Sequence, residues 1–203
     1  MDKEERLGPV GSLGNGYRQE TPYYIDDATP RTKRSAFFTI TLASVMWWVP
    51  LLWARFLYAP GVGPHKINLF AWTVAMVLVL ASGAQAYRLL RALRAGEYKE
   101  LYPKLVSMVV LGLLVCASIF WGWASSSVSI ATPYGSIYYF FSTALGVFFL
   151  VSIFTETLHA MRAGSRWGAG YDVTSGWRVE NSAYVWLWNC LWFLVFYVIF
   201  FWV

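Results

Sequence analysis

The segment TPYGSIYYFFSTALGVFFLVSIFTETLHAMRAGSRW, residues 132–167, decides the fold of this chain. Between Ser136 and Leu158 it contains one charged residue, Glu156, which lies close to the end of the run. About 20 apolar residues at ~1.5 Å each span the ~30 Å hydrocarbon layer of a bilayer. The segment therefore predicts a membrane-spanning helix.

Turn and cap signals flank this helix on both sides. The start, Thr-Pro-Tyr-Gly-Ser, predicts a turn in which Gly135 permits a close approach of the backbone and Ser136 caps the helix. The end carries the basic residues Arg162 and Arg166 around Gly164, a residue type that commonly stops helices.

The composition places the rest of the chain in the same class. Of 203 residues, 58% are hydrophobic and 19% aromatic, while only 13% are charged. Soluble domains average about a quarter charged residues, and the apolar runs are too long for the alternating strands of a membrane barrel. We therefore expect an all-α integral membrane protein, in which Cys116 and Cys190 are unpaired apolar fillers in different runs.

Five apolar segments are long enough to cross a membrane. They are residues 36–57, 67–87, 105–123, 136–161 and 182–203. Residues 1–35 are polar and are predicted to form an extended or disordered tail without a cleavable signal peptide or a mitochondrial transit peptide. In the first span, Pro50 predicts a kink, and Arg55 is expected to reach the lipid headgroups.

The distribution of basic residues predicts the orientation of the bundle. The tail holds six basic residues, residues 88–104 hold five and residues 162–181 hold three, whereas the opposite side has only Arg55 and Lys66. Positive charge accumulates on the cytoplasmic side of membrane proteins. We therefore interpret the net charge of +5 as a topology signal, with the N-terminus inside and the C-terminus outside.

Residues that hold metals or cofactors are scarce. The two histidines are His65, in a loop, and His159, near a helix end, whereas a bis-histidine haem needs two facing histidines within the spans. No ligand cluster for copper or zinc and no glycine-rich phosphate loop is present in the sequence. The sequence thus predicts no catalytic and no metal-binding residues, which favours an accessory subunit over an enzyme.

Glu156, His159 and Arg162 form the one polar cluster inside a span, and their spacing places them on one helical face. One interpretation is a site for proton uptake or for a lipid headgroup. The other, which the sequence favours, is a helix end whose side chains extend to the membrane surface.

Other polar residues in the spans are interpreted as packing contacts. Asn189, Gln85 and Ser44 are expected to make hydrogen bonds between helices, although Asn189 is also a candidate functional group. Small residues at positions 81–84 predict a close approach by a neighbouring helix, and Gly96 is expected to end the second helix.

The order of several motifs resembles subunit III of haem-copper terminal oxidases, in the five-helix form of bacteria. The motifs are ASVMWW at 43–48, VLVLAS at 77–82, YGSIYY at 134–139 and WLWNCLW at 186–192. The resemblance covers residues 36–203. Its most specific part is YGSIYY, which is similar to the family's Tyr-Gly-Ser-hydrophobic-Phe-Phe.

Departures from the family pattern affect nearly all of its ionisable groups. Ser44 stands in place of a buried glutamate, Leu145 and Phe148 in place of two histidines, and Trp186 and Asn189 in place of a histidine and an aspartate. Ile119 and Gly122 stand where the family has Gln and Glu. The chain thus resembles a divergent relative that keeps the shape of the family and has lost its polar role.

The resemblance implies a non-catalytic subunit of a respiratory oxidase in the bacterial inner membrane. Such a subunit would bind no metal, with haem and copper held by its partners, and would pack mainly on oxidase subunit I, with subunit II and other respiratory subunits as further partners. It would support proton uptake and stability during aerobic electron transport. It would also hold phospholipid in a V-shaped cleft between helices 1–2 and helices 3–5.

The resemblance also assigns candidate contact residues. Those for lipid or a neighbouring subunit are Ser44, Trp48, Tyr134, Gly135, Ser136, Gly146, Arg162, Asn189 and Trp192. Ser44 and Trp48 are expected to line the wall of the cleft, and Gly146 is expected at a close helix contact. Arg162 is expected to bind a headgroup on the inner side.

Two other functions stay open at this point. An accessory subunit of a nitric oxide reductase or of another respiratory assembly would share most of these features. A stand-alone carrier or channel would need a polar pathway and discontinuous helices near the bilayer midplane. The third and fourth spans have almost no polar groups at that depth, which argues against a carrier. The electron donor, cytochrome c or a quinol, is not distinguished.

Overall fold

Five long helices make up the described part of the chain in a computed structural model. The structure describes residues 30–58, 67–164, 171 and 176–202, with side chains in the first range from 37 to 57. The helices are α1 (Pro30–Tyr58), α2 (Leu69–Ala95), α3 (Leu101–Ala124), α4 (Pro133–Gly164) and α5 (Trp177–Phe201). A 3-10 turn, Tyr98–Glu100, leads into α3. The described residues contain no strand, so the predicted all-α class is confirmed.

All five helices are long and apolar enough to cross a membrane. The prediction of five long apolar helices is therefore confirmed, and most of these helices extend beyond the limits predicted for the spans. Helix α1 begins at Pro30, inside the segment assigned to the tail. The remainder of the tail, residues 1–29, lies outside the described residues, as do His65, Lys66 and Arg166.

The start of α4 is fixed by a different residue from the predicted one. The hydroxyl of Thr132 accepts a hydrogen bond from the Gly135 backbone N–H at 3.1 Å, and Pro133 occupies the first helical position, where its missing N–H is harmless. Ser136 lies inside the helix and donates to the Pro133 carbonyl at 3.0 Å, so the prediction that Ser136 is the cap was wrong.

Two glycines lie where a side chain would be strained or would collide with the backbone. A Cβ on Gly135 would collide with the Ser129 carbonyl oxygen, which confirms the predicted close approach. Gly96 ends α2 with φ = 76°, a left-handed conformation in which its N–H bonds to the carbonyls of Ala92 and Leu93. The prediction that α2 continues past residue 87 and stops at Gly96 is confirmed.

Helices α2, α3, α4 and α5 form a closed ring of packing contacts, with α1 outside it. Helix α2 packs against α3 and α5, α4 packs against α3 and α5, and α1 packs on the outside of α4 and α5. Helix α2 thus groups with α3 and α5 rather than with α1. The predicted division of α1–α2 from α3–α5 is not the arrangement of the described residues, and a lipid cleft along that line is not shown.

Aromatic side chains fill the core where α2, α4 and α5 meet. The Trp72 indole N–H donates to the Tyr138 hydroxyl at 2.8 Å, and the Trp72 ring lies 5.1 Å from that of Phe196. Gly122 of α3 makes room for this indole, because a Cβ there would lie 2.8 Å from the Trp72 ring nitrogen. Both cysteines are free, as predicted.

Arg55 does not extend to the membrane surface as predicted. Its side chain is only 3% exposed, and its guanidinium carbon lies 5.1 Å from the centre of the Tyr134 ring and 5.9 Å from that of Phe200. A cation over aromatic faces is stabilised by the ring quadrupoles. Arg55 therefore ties the end of α1 to α4 and α5.

Candidate functional site

Three polar residues in the spans make the hydrogen bonds between helices that the sequence predicts. Ser44 of α1 accepts from the Trp188 indole at 2.6 Å, and Gln85 of α2 donates to Ser107 of α3 at 2.8 Å. Asn189 of α5 donates to the Ser152 hydroxyl at 2.9 Å. Polar groups within a lipid bilayer need hydrogen-bond partners inside the protein, and these side chains have such partners.

The small-residue patch on α2 receives α5, as predicted. The Ser82 hydroxyl accepts from the indole of Trp186 at 3.1 Å, and a Cβ on Gly83 would lie 3.6 Å from the Cys190 sulfur, an ordinary van der Waals contact. Trp186 also fills the space beside Gly112 of α3, where a Cβ would lie 2.6 Å from its ring. One indole thus joins α2, α3 and α5.

Residues at the positions that the resemblance to subunit III compares with ionisable groups are packing residues in this structure. Leu145 and Trp186 are fully buried, Ile119 is 2% exposed, and Asn189 and Ser44 bond to neighbouring helices. The space that a charged group would need is therefore occupied by apolar contacts or by paired neutral groups.

Glu156 lies deep inside the bundle instead of extending to the surface. Its side chain is 0% exposed, and neither carboxyl oxygen has a hydrogen-bond partner among the described residues. The favoured interpretation of the polar cluster, an exposed helix end, was therefore wrong for Glu156. The hydroxyl of Ser182 on α5 is its polar neighbour, but it donates to the Val179 carbonyl at 3.0 Å.

Tyr171 completes this cluster and was missed by the sequence interpretation. Its hydroxyl lies 2.6 Å from Nδ1 of His159, and the guanidinium of Arg162 lies 4.7 Å from the centre of its ring. Burial raises the pKa of Tyr171 to about 12, against the opposing effect of the positive charges of Arg162 and Arg178. The phenol therefore stays protonated at neutral pH, and its hydroxyl shares a hydrogen bond with the imidazole. The sequence feature that could have indicated Tyr171 is an aromatic residue in a glycine-rich loop with basic residues on both sides.

Most of the predicted contact residues lie inside the chain. Ser44, Trp48, Tyr134, Gly135, Asn189 and Trp192 are buried, Gly146 and Arg162 are half-buried, and Ser136 is exposed. Contact of these residues with lipid or a subunit stays a prediction. Gly146 does not lie at a close helix contact within the chain, because a Cβ there would meet no described atom within 4 Å. The described residues of this chain therefore do not make the predicted close contact at Gly146, and a contact with a partner there stays a prediction.

A groove opens on the surface between α3 and α4 at the end that carries Arg162. It has a volume of about 390 Å³ and is lined by Tyr102, Val106, Val109, Thr157, Ala160, Met161 and Gly164. A Cβ on Gly164 would collide with the Tyr102 ring, so glycine at this position shapes one end of the groove. The lining is mainly apolar and suits a hydrocarbon chain.

Among the described residues, no three His, Cys, Asp or Glu side chains form a cluster that could hold a metal ion. Comparison with models of protein families gives no match, and a search of curated proteins gives none.

Proposed function

We propose that this chain is a non-catalytic membrane subunit, similar to subunit III, of a respiratory haem-copper oxidase. In this role it packs on the catalytic subunit in a bacterial inner membrane, with the N-terminus and the basic end of the bundle on the inner side. The partner subunits hold the haem and copper and carry out the electron transfer. An accessory role in another respiratory assembly remains the nearest alternative.

The closed core carries this proposal. The bundle is filled by aromatic rings in contact with one another, including Phe141 and Phe196 with centres 5.1 Å apart and Phe193 and Phe196 at 6.3 Å. Polar residues of the core are used in hydrogen bonds between helices. A carrier needs a polar pathway and interrupted helices near the bilayer midplane, whereas each of the five described helices is continuous along its length.

Helix α1 supplies a second argument, because one of its faces has no neighbour among the described residues. Met46, Trp53 and Leu57 follow one another at spacings of seven and four residues, so they share one side of the helix. Met46 is 76% exposed, and Trp53 and Leu57 are similarly open. A face with large aromatic and flexible apolar side chains suits a packing surface for a partner subunit.

The α3–α4 groove is the proposed place for a bound phospholipid. Its apolar walls match an acyl chain. Arg162 precedes Gly164, one of the lining residues, by two positions and is the proposed cation for the headgroup. This location replaces the cleft between α1–α2 and α3–α5.

The test is purification from native membranes in a mild detergent, with identification of the copurifying subunits and an optical spectrum. An oxidase catalytic subunit and a haem spectrum would support the proposal, and the haem type would narrow the electron donor. A nitric oxide reductase core would select the alternative assembly. A colourless, monodisperse, single-component preparation would overturn the subunit role.

Photo-crosslinking tests the α1 surface directly. A photoreactive amino acid at Trp53 should crosslink to the catalytic subunit, whereas the same amino acid at Val77, an exposed residue on α2, serves as a lipid-facing control. Equal crosslinking at both positions would show that α1 is not the preferred contact.

A further inference from the structure

The surroundings of Glu156 favour an uncharged carboxylic acid. The carboxyl has no exposed surface and no hydrogen bond or ion pair among the described residues. An ionised carboxylate in an apolar interior without such partners is strongly destabilising, whereas the protonated acid costs far less. The group is therefore neutral in the fold as described and can acquire charge only when it releases a proton.

Two side chains with exchangeable protons form a pair near the end of α4 that follows Glu156. His159 is one turn further along the helix, and its Nδ1 lies 2.6 Å from the Tyr171 hydroxyl. Tyr171 is itself buried, and the guanidinium of Arg162 lies against its ring. The His159–Tyr171 pair thus lies on the side of the buried acid that leads to the basic end of α4.

Charged groups on the neighbouring helices have other contacts. Arg94 of α2 lies 3.7 Å from Glu180 and donates to the Tyr184 hydroxyl. In α3 the charged residue is Lys104, which pairs with Glu100. In α5, Arg178 lies over the Trp177 ring at 5.6 Å and acts on both His159 and Tyr171. The positive field of Arg162 and Arg178 therefore reaches the histidine–tyrosine pair, while Ser182 is the polar group beside the carboxyl.

We propose that Glu156 is an exchangeable proton-binding site, loaded from water at the basic end of the bundle through the Tyr171–His159 pair. Loading moves one proton from water to a carboxylate oxygen, and release returns it, so the step needs no oxidant or reductant. The site belongs to this chain and does not depend on which complex contains it. The proton site can therefore be disproved while the subunit role holds. The subunit role can likewise be disproved while the proton site holds.

Infrared difference spectroscopy on the full chain in phosphatidylcholine vesicles tests the site. The protein should show a carbonyl band of a protonated carboxyl at neutral pH that shifts in D₂O and disappears at alkaline pH. Glu156→Gln should remove the band and Glu156→Asp should move it, so that the assignment survives if one variant fails to fold. Glu97→Gln, at an exposed carboxylate, is the matched control and should leave the band unchanged.

The outcomes separate a proton site from an inert buried acid. A band that responds neither to D₂O nor to pH would overturn the proposal, as would the absence of any band that Glu156→Gln removes. Tyr171→Phe keeps the ring but removes the hydroxyl, and it should slow deuterium exchange of the carboxyl by about tenfold or more. Tyr102→Phe, also a membrane-end tyrosine, should not. Unchanged exchange in Tyr171→Phe would overturn the proposed route.

Discussion

Helix α1 and the four helices that follow it differ in how much of their apolar surface the chain itself covers. In the most apolar 18-residue stretch of α1 only 11% of the residues are buried inside the protein. The corresponding share is 39% in each of α2, α3, α4 and α5. Trp48 illustrates how α1 is held, since its ring lies 4.9 Å from Phe141 and 5.4 Å from Trp192. The four-helix unit is specified by interlocking side chains, whereas α1 is attached through a narrow strip that includes Ser44, Trp48 and Arg55.

Substitution of one tryptophan in each region should give the largest contrast. Trp72→Ala removes a fully buried indole and its hydrogen bond to Tyr138, and it should reduce the free energy of unfolding by about 3–5 kcal/mol. Trp47→Ala, on the exposed side of α1, should change it by less than about 0.5 kcal/mol. Unfolding in mixed detergent, followed by circular dichroism, measures both. Similar losses in the two variants would contradict the division into a core and an attached helix.

Two glycines should respond in opposite ways to the same change. Gly112→Val introduces atoms into space held by Trp186 and Ile153, so it should destabilise the fold by about 1–3 kcal/mol. Gly146→Val enters open space and should leave the stability of the isolated chain unchanged. Thermal unfolding of the purified variants compares them. A loss at Gly146 would mean that α4 is rotated relative to the structure.

Alkaline pH should weaken the basic end of the bundle but not the strip that holds α1. The pKa of Tyr171 is about 12 in the fold, above the ordinary tyrosine value of ~10. The folded state therefore disfavours the phenolate, and stability should be complete below about pH 10 and fall as pH rises toward about 12, by at most ~1.4 kcal/mol per unit of difference. In unfolding titrations, Tyr171→Phe should remove the part of the alkaline decrease in unfolding free energy that this phenol causes. Tyr87→Phe, at an exposed tyrosine, should show the same decrease as the unaltered protein.

The smallest expected effect concerns the polar contact of α1. Ser44→Ala leaves the Trp188 indole without its acceptor and should cost about 1 kcal/mol. The change should increase hydrogen exchange in α1 while leaving α2 and α3 protected. Ser136→Ala, at an exposed serine that bonds within its own helix, is the control. Uniform loss of protection in all helices would show that α1 does not open separately.

Sequence reasoning identified the helices because membrane insertion requires long apolar runs, and hydropathy reports these directly. It also identified Ser44, Gln85 and Asn189 as contacts between helices, because a neutral polar group in an apolar span needs a partner. It failed where the answer depends on how each helix is rotated about its axis. Arg55 and Glu156 lie near span ends, and sequence position alone could not show that they turn inward.

The sequence separation of 144 positions between Ser44 and Trp188, which are joined by a hydrogen bond, has a consequence for biogenesis. Helix α1 is synthesised first, yet the partners it packs against, α4 and α5, are synthesised last. Helices α2 and α3, joined by a short connection and packed together, can associate as soon as both are inserted. We therefore expect α1 to wait in the lipid beside the translocon until α5 emerges. During that interval insertion factors have access to the Trp48 side of α1, and crosslinking of arrested nascent chains would detect them.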